Sequence, residues 1–235
     1  MTDNGWTIPE KPAQLCENRL VAAILDGTFP INSNLPAERD LAARLGVTRP
    51  TLREVLQRLA RDGWLEIHHG RPTRVRDYWR EGNLVVLAAI ARHSEQLPPD
   101  FAANMLTVRS LLAPAYTRLA IERAPQAVLA AIQPCLALDD DPAAFTEADW
   151  HLQHELTILS GNPVFTLIYN SFSNLYKTLG EVYFRVPENR ELSRTFYREL
   201  HECAQNGDAD CASALIARVM LASRERWMQI RFKEE

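Results

Sequence analysis

Two apolar stripes of helical period, separated by a three-residue turn, constrain this chain more than any other feature. Leu41, Ala42 and Leu45 form the first, which follows Pro36 and stops at Gly46. Leu52, Val55, Leu56 and Leu59 form the second, which follows Pro50 and stops at Gly63. Proline lacks only an N–H that a first helical turn leaves unused, and glycine takes the left-handed backbone that ends a helix, so these residues bracket two short helices. A third stripe, Leu15, Leu20, Val21, Ile24 and Leu25, precedes them and stops at Gly27, with a loop over 29–34. After Gly63 the period changes. Residues 64–67 and 73–76 are short β-prone runs around His68, His69, Gly70, Arg71 and Pro72, which reads as a hairpin connection. Helices joined by a tight turn and followed by a hairpin predict a winged helix-turn-helix over 1–76.

Charge is distributed to match. The whole chain carries a formal −4, but residues 36–76 hold nine arginines against five acids, so that segment is +4 and the remainder −8. Arg49 and Arg53 are four apart and share the exposed face near the start of the second helix of the pair, the end that enters a major groove in helix-turn-helix proteins. Arginine can hold guanine O6 and N7 with two parallel bonds, and the Thr48 and Thr51 hydroxyls can donate to phosphate beside the helix N-terminus. Arg39, early in the preceding helix, reaches toward the backbone. A basic face opposite an apolar stripe is often only a solvated face; the turn, the hairpin and the charge asymmetry favour nucleic acid here. One recognition helix reads few base pairs, so a homodimer on a pseudo-palindromic operator is expected.

Beyond a polar stretch of mixed charge at 77–83, expected to be a linker, no strand signal appears. Residues 84–235 are expected to form an all-α bundle, which makes the fold class mainly α. Proline and glycine signals at Pro98-Pro99, Pro125, Pro142, Gly161-Asn162-Pro163, Pro187 and Gly207 divide its helices. On their apolar stripes stand polar side chains: Arg109 after Met105 and Val108, Asp149 between Phe145 and Leu152, Tyr183 after Leu179, and Ser223 between Met220 and Trp227. Such groups are costly to bury unpaired, so they belong either to an internal polar network or to a ligand cavity; periodicity alone favours the network.

With 46% hydrophobic residues, the 235-residue chain can bury a substantial core. Its longest apolar run, 84–91, falls far short of the roughly 20 residues of a membrane span. A soluble cytoplasmic protein is expected. Cys16, Cys135, Cys203 and Cys211 are scattered without CxxC spacing and are expected to be reduced. The chain offers no nucleophile elbow, phosphate loop or HExxH, so neither catalytic residues nor a cofactor are expected.

The stretches Leu35-Pro36-Ala37-Glu38-Arg39, Gly46-Val47-Thr48-Arg49 and 51–65 (TLREVLQRLARDGWL) resemble the GntR family of bacterial transcription regulators, FadR subfamily. His69-Gly70 and Pro72-Thr73 resemble its wing, and Val108-Arg109, Asp149, 160–163, Leu175-Tyr176, Tyr183-Phe184, Ser223 and Trp227 resemble its helical sensing domain. The resemblance implies that Arg39, Thr48, Arg49, Thr51 and Arg53 contact operator DNA, with His69 and Gly70 at the minor groove. It also implies that Arg109, Asp149, Tyr183, Ser223 and Trp227 serve a site for long-chain acyl-CoA, whose binding releases DNA. Pro50 stands where the family has a phosphate-donating threonine, and its bias against helical geometry at Arg49 predicts a helix that begins one residue late. Related sensing domains hold a metal on one Asp and three His; here Asp149 is kept, but Gln153, Tyr197 and Val219 stand at the other positions, so no metal is expected. Met220, Ala222 and Phe232 replace small or polar residues near the acyl-CoA site, and Arg231 and Lys233 are candidate phosphate partners.

Overall fold

The computed structural model describes residues 11–93 and 100–231, so Phe232 and Lys233 lie outside the described residues. By internal contacts the chain forms two compact units, one up to Gln96 and one from Leu97 onward.

In the first unit α1 (Pro12–Leu25), α2 (Glu38–Leu45) and α3 (Arg49–Asp62) pack through the expected stripes, with one shift: Leu15 points out and Cys16 is buried in its place. Gly46 and Gly63 end α2 and α3 at φ of 68° and 102°, where a β-carbon would be strained. Thr48 caps α3, its Oγ1 accepting the Thr51 N–H at 3.3 Å. The helix therefore includes Arg49 and does not begin late. Pro50 falls within the first turn, whose N–H groups have no intrahelical acceptor, so the ring removes nothing the helix uses.

The hairpin is shorter than its β-prone runs. β1 (Leu65–Glu66) pairs antiparallel with β2 (Arg74–Val75), Leu65 opposite Val75, and Asn34 bridges to Arg74 on the other edge. Buried Leu65 and Val75 anchor it to α3, while Ile67 faces solvent. The stretch 77–83 contains one helical turn, α4 (Tyr78–Glu81), whose Tyr78 ring packs 5.0 Å from that of buried Trp64. Asn83 then caps α5 (Leu84–Arg92) by accepting the Val85 and Val86 N–H groups. By contacts α5 groups with the N-terminal unit.

The second unit comprises α6 (Phe101–Arg123), α7 (Pro125–Ile132), a 3-10 turn over Gln133–Ala137, α8 (Pro142–Leu159), α9 (Pro163–Asn170), α10 (Ser173–Phe184), α11 (Pro187–Gln205) and α12 (Ala209–Arg231). The prolines at 125, 142, 163 and 187 each open a helix, and side chains of Asp141 and Asn162 cap two of them. The long helices α6 and α12 pack together along their length, and Phe145, Phe196, Tyr197, Ile121 and Ile132 fill the core. Two cysteines depart from expectation. The turn between α11 and α12 brings Cys203 and Cys211 to a Cα separation of 5.8 Å, and they form a disulfide; Cys16 and Cys135 are free and buried. Among the described residues no helix is long and apolar enough to cross a membrane.

Candidate nucleic-acid interface and ligand pocket

On α3 the exposed face opposite Leu52, Val55, Leu56 and Leu59 carries Arg49 and Arg53, as the periodicity requires. Arg49 makes no hydrogen bond or ion pair among the described residues, so its whole guanidinium is available. Arg53 instead donates from Nε to Oε2 of Glu38 at 2.6 Å. Arg39 is highly exposed and meets its neighbour Asp40 at 3.2 Å. The Thr48 and Thr51 hydroxyls lie 2.8 Å apart, so one donates to the other and a single hydroxyl proton remains for a phosphate. His69 and Gly70 are exposed at the hairpin tip, where Gly70 has a φ of 71° and open space around it.

Three other arginines of the basic segment are engaged within the unit. Arg58 joins Glu17 to Glu54, each at 2.8 Å, and Arg74 joins Glu66 at 2.7 Å while donating to Asn32 at 3.1 Å. Arg76 faces Glu81 at 3.7 Å. Uniform sequence charge thus separates into a structural set and an outward set, a distinction no charge count contains.

In the second unit Arg109, Asp149, Tyr183, Ser223 and Trp227, drawn from α6, α8, α10 and α12, all line one cavity. The cavity measures about 70 Å³. Its other walls are largely apolar, with Met105, Leu106, Leu179, Phe196 and Met220 among them. Ala222 is not among the lining residues.

Both readings of the polar set are realised at once. Asp149 is buried and accepts hydrogen bonds from Tyr197 at 3.0 Å and from Tyr176. Burial, reinforced by the Asp149 charge, pushes both phenols well above their usual range, so they stay protonated donors. Arg109 lies 3.8 Å from Asp149, near enough for attraction but too far for a hydrogen bond, with its guanidinium 4.8 Å from the centre of the Tyr176 ring. Burial disfavours its charge, but the Asp149 carboxylate beside it favours the cation and arginine is too basic to lose its proton, so the guanidinium stays protonated. Its Nε and Nη2, and Nε1 of Trp227, are buried without acceptors among the described residues. Tyr183 and Ser223 lie within hydrogen-bond distance of one another at 3.1 Å.

At the positions where related domains hold a metal, Gln153 accepts the Tyr116 hydroxyl at 2.7 Å and Tyr197 is bonded to Asp149. Among the described residues no three His, Cys, Asp or Glu side chains cluster to hold a metal. Sequence reasoning missed Glu38 as the partner of Arg53, although it stands in the quoted Leu-Pro-Ala-Glu-Arg stretch. It also passed over Met105, Leu106 and Leu179, whose apolar side chains at helical spacing are indistinguishable from core.

The family model for bacterial regulatory proteins of the gntR family matches residues 13–75, and that for the FadR C-terminal domain matches residues 76–234. The chain belongs to the GntR family, with a FadR-type C-terminal domain. A fatty acid metabolism regulator protein of Shewanella pealeana is 40% identical over 220 residues, covering 94% of this chain and 92% of that one. One from Klebsiella pneumoniae is 39% identical over 218 residues, covering 93% and 91%, and one from Haemophilus influenzae 38% over 221, covering 94% and 92%. The solved structure of Lar from Listeria monocytogenes superposes with a TM-score of 0.62 at 17% identity, covering 95% of this chain and 99% of Lar, which is a likeness of fold. As a GntR-family member the chain is a DNA-binding transcription regulator rather than an enzyme. The two family models meet at residue 76, whereas internal contacts keep α5 with the winged helix. That helix packs on the Gly63 end of α3, where Val86 lies 3.6 Å from the place a Gly63 β-carbon would take.

Proposed function

We propose that this regulator controls genes of fatty acid metabolism as a homodimer and releases its operator when a long-chain acyl-CoA enters the cavity of the second unit. The observation that carries the reading is the convergence of Arg109, Asp149, Tyr183, Ser223 and Trp227 on one cavity with apolar walls, in a chain 39–40% identical to fatty acid metabolism regulators over more than nine-tenths of its length. An acyl chain asks for such walls, and its thioester carbonyl for a buried donor such as the Trp227 N–H.

Size supplies the coupling. Ligand pockets usually measure roughly 300–1,000 Å³, so a cavity of about 70 Å³ must widen before an acyl chain fits. Its lining is spread over α6, α8, α10, α11 and α12, and widening moves these helices apart. A ligand that prefers the widened form shifts the population toward it, and by linkage operator DNA weakens the ligand by the same factor. The proposed coupling is about 1–3 kcal/mol. The test pairs calorimetric titration of acyl-CoA into the protein with anisotropy of the protein–operator complex, over several chain lengths. Binding that leaves operator affinity unchanged overturns the reading.

A second reading keeps the regulator and changes the effector to another carboxylate. The unpartnered Nε and Nη2 of Arg109 favour it, because a carboxylate satisfies two such donors together. Binding of a carboxylate in the absence of any acyl-CoA response would select it.

A further inference from the structure

The ion pair between Arg53 and Glu38 concerns how this surface reads sequence. Arg53 reaches from the second turn of α3 to the first residue of α2, and it is gripped at Nε. Among the described residues its Nη groups donate no hydrogen bond. Those two nitrogens can make the pair of parallel bonds to guanine O6 and N7, so a grip at Nε leaves the reading edge of the guanidinium open. Arg49, four residues earlier on the same face, has no such partner among the described residues.

The position of the acid is otherwise unfavourable. Glu38 places a negative charge on the surface expected to meet phosphates, where each unneutralised anion weakens general attraction. It contributes little to the fold, because the Arg53 and Glu38 side chains are 67% and 39% exposed and exposed ion pairs are nearly neutral for stability. An acid that opposes general DNA binding and barely stabilises the protein has a physical use in ordering its partner before binding.

We propose that Glu38 is a positioning residue for sequence readout, holding the Arg53 guanidinium so that its terminal nitrogens face a guanine edge. This rests on Arg53 being a base reader. Freezing a long side chain before association removes part of the ordering cost of binding, which corresponds to roughly a two- to tenfold gain in operator affinity. The same carboxylate lowers affinity for DNA of any sequence, so it raises discrimination at the expense of general attraction.

The experiment uses the full-length protein and a duplex selected from a randomised pool by the wild type, with a scrambled duplex of equal length as control. Glu38→Gln, Arg53→Ala and the double variant are titrated against both duplexes at several salt concentrations. The expected result is that Glu38→Gln binds the scrambled duplex more tightly and the selected duplex more weakly. The double variant should lose no more discrimination than Arg53→Ala alone, since Glu38 acts through Arg53. If Glu38→Gln tightens both duplexes equally, the pair is an ordinary surface ion pair and the proposal fails. Additive losses would also overturn it, because Glu38 would then contact a base independently. Full operator affinity in Arg53→Ala sinks the base-reader assignment and the proposal together, whereas loss in Arg53→Ala with unchanged discrimination in Glu38→Gln sinks the proposal alone.

Discussion

At the scale of single residues, identical side chains on one stretch of sequence have separate tasks. Arg58 and Arg74 tie elements of the winged helix together, and Arg49 is unengaged among the described residues on the outward face. Arg49→Ala should therefore leave thermal stability unchanged and weaken operator binding by about 1–3 kcal/mol, the usual worth of a bidentate base contact, with relaxed preference at that base. Competition titrations against operators altered at single positions check this; uniform weakening at every position would make Arg49 a phosphate contact. Ser223 offers a second test. It lines the cavity beside Tyr183, so Ser223→Leu should cost about 1–3 kcal/mol of stability by added volume and fill the cavity. The variant is expected to bind operator normally and to respond poorly to acyl-CoA in the anisotropy titration. A full response would move the effector site elsewhere.

At the scale of elements, α3 shows how a helix start serves folding and binding together. Thr48 satisfies one orphan N–H of the first turn, and Pro50 withdraws another from the accounting by having none. Thr48→Ala is expected to cost about 1 kcal/mol of stability. Operator and scrambled duplexes should lose affinity in the same proportion, because phosphate contacts carry no sequence information. Chemical denaturation and paired titrations measure the two effects; an altered base preference would contradict a purely capping and phosphate role. Neither the cap nor the helix start was read from the sequence: Thr48 was assigned to phosphate alone, and Pro50's bias against helical geometry at Arg49 is weaker than the fit of proline to a first turn. In the hairpin, β-propensity marked four residues per strand, but the ladder pairs only Leu65 with Val75 and Glu66 with Arg74, because Ile67 and the residues up to Pro72 face solvent with no core to bury against.

At the scale of the whole molecule, the proposed mechanism needs two recognition helices on one operator, since a single α3 spans too few base pairs for specificity. Light scattering is expected to give a dimer that binds one operator duplex; a stable monomer binding one-to-one at full affinity would refute the dimer. The disulfide between Cys203 and Cys211 also belongs to this scale. Their separation of eight in sequence carried no motif, and the two sulfurs meet only because Gly207 and the α11–α12 turn fold one helix back beside the other.

The helix ends at Gly46 and Gly63, the turn and the outward basic face follow from sequence alone, because period and the proline and glycine signals act over a few residues. The five polar residues of the cavity were visible for the same reason, as interruptions of apolar stripes. Whether those interruptions pair with each other or enclose space is a property of four helices packed at once. The packing places Tyr176 and Tyr197 on Asp149 and leaves Arg109 and Trp227 with free donors, so that network and cavity coexist. Only the tertiary structure decided that, as it decided that Glu38 grips Arg53, because hydrogen-bond partners 15 residues apart are chosen by the angle between α2 and α3 rather than by any local pattern.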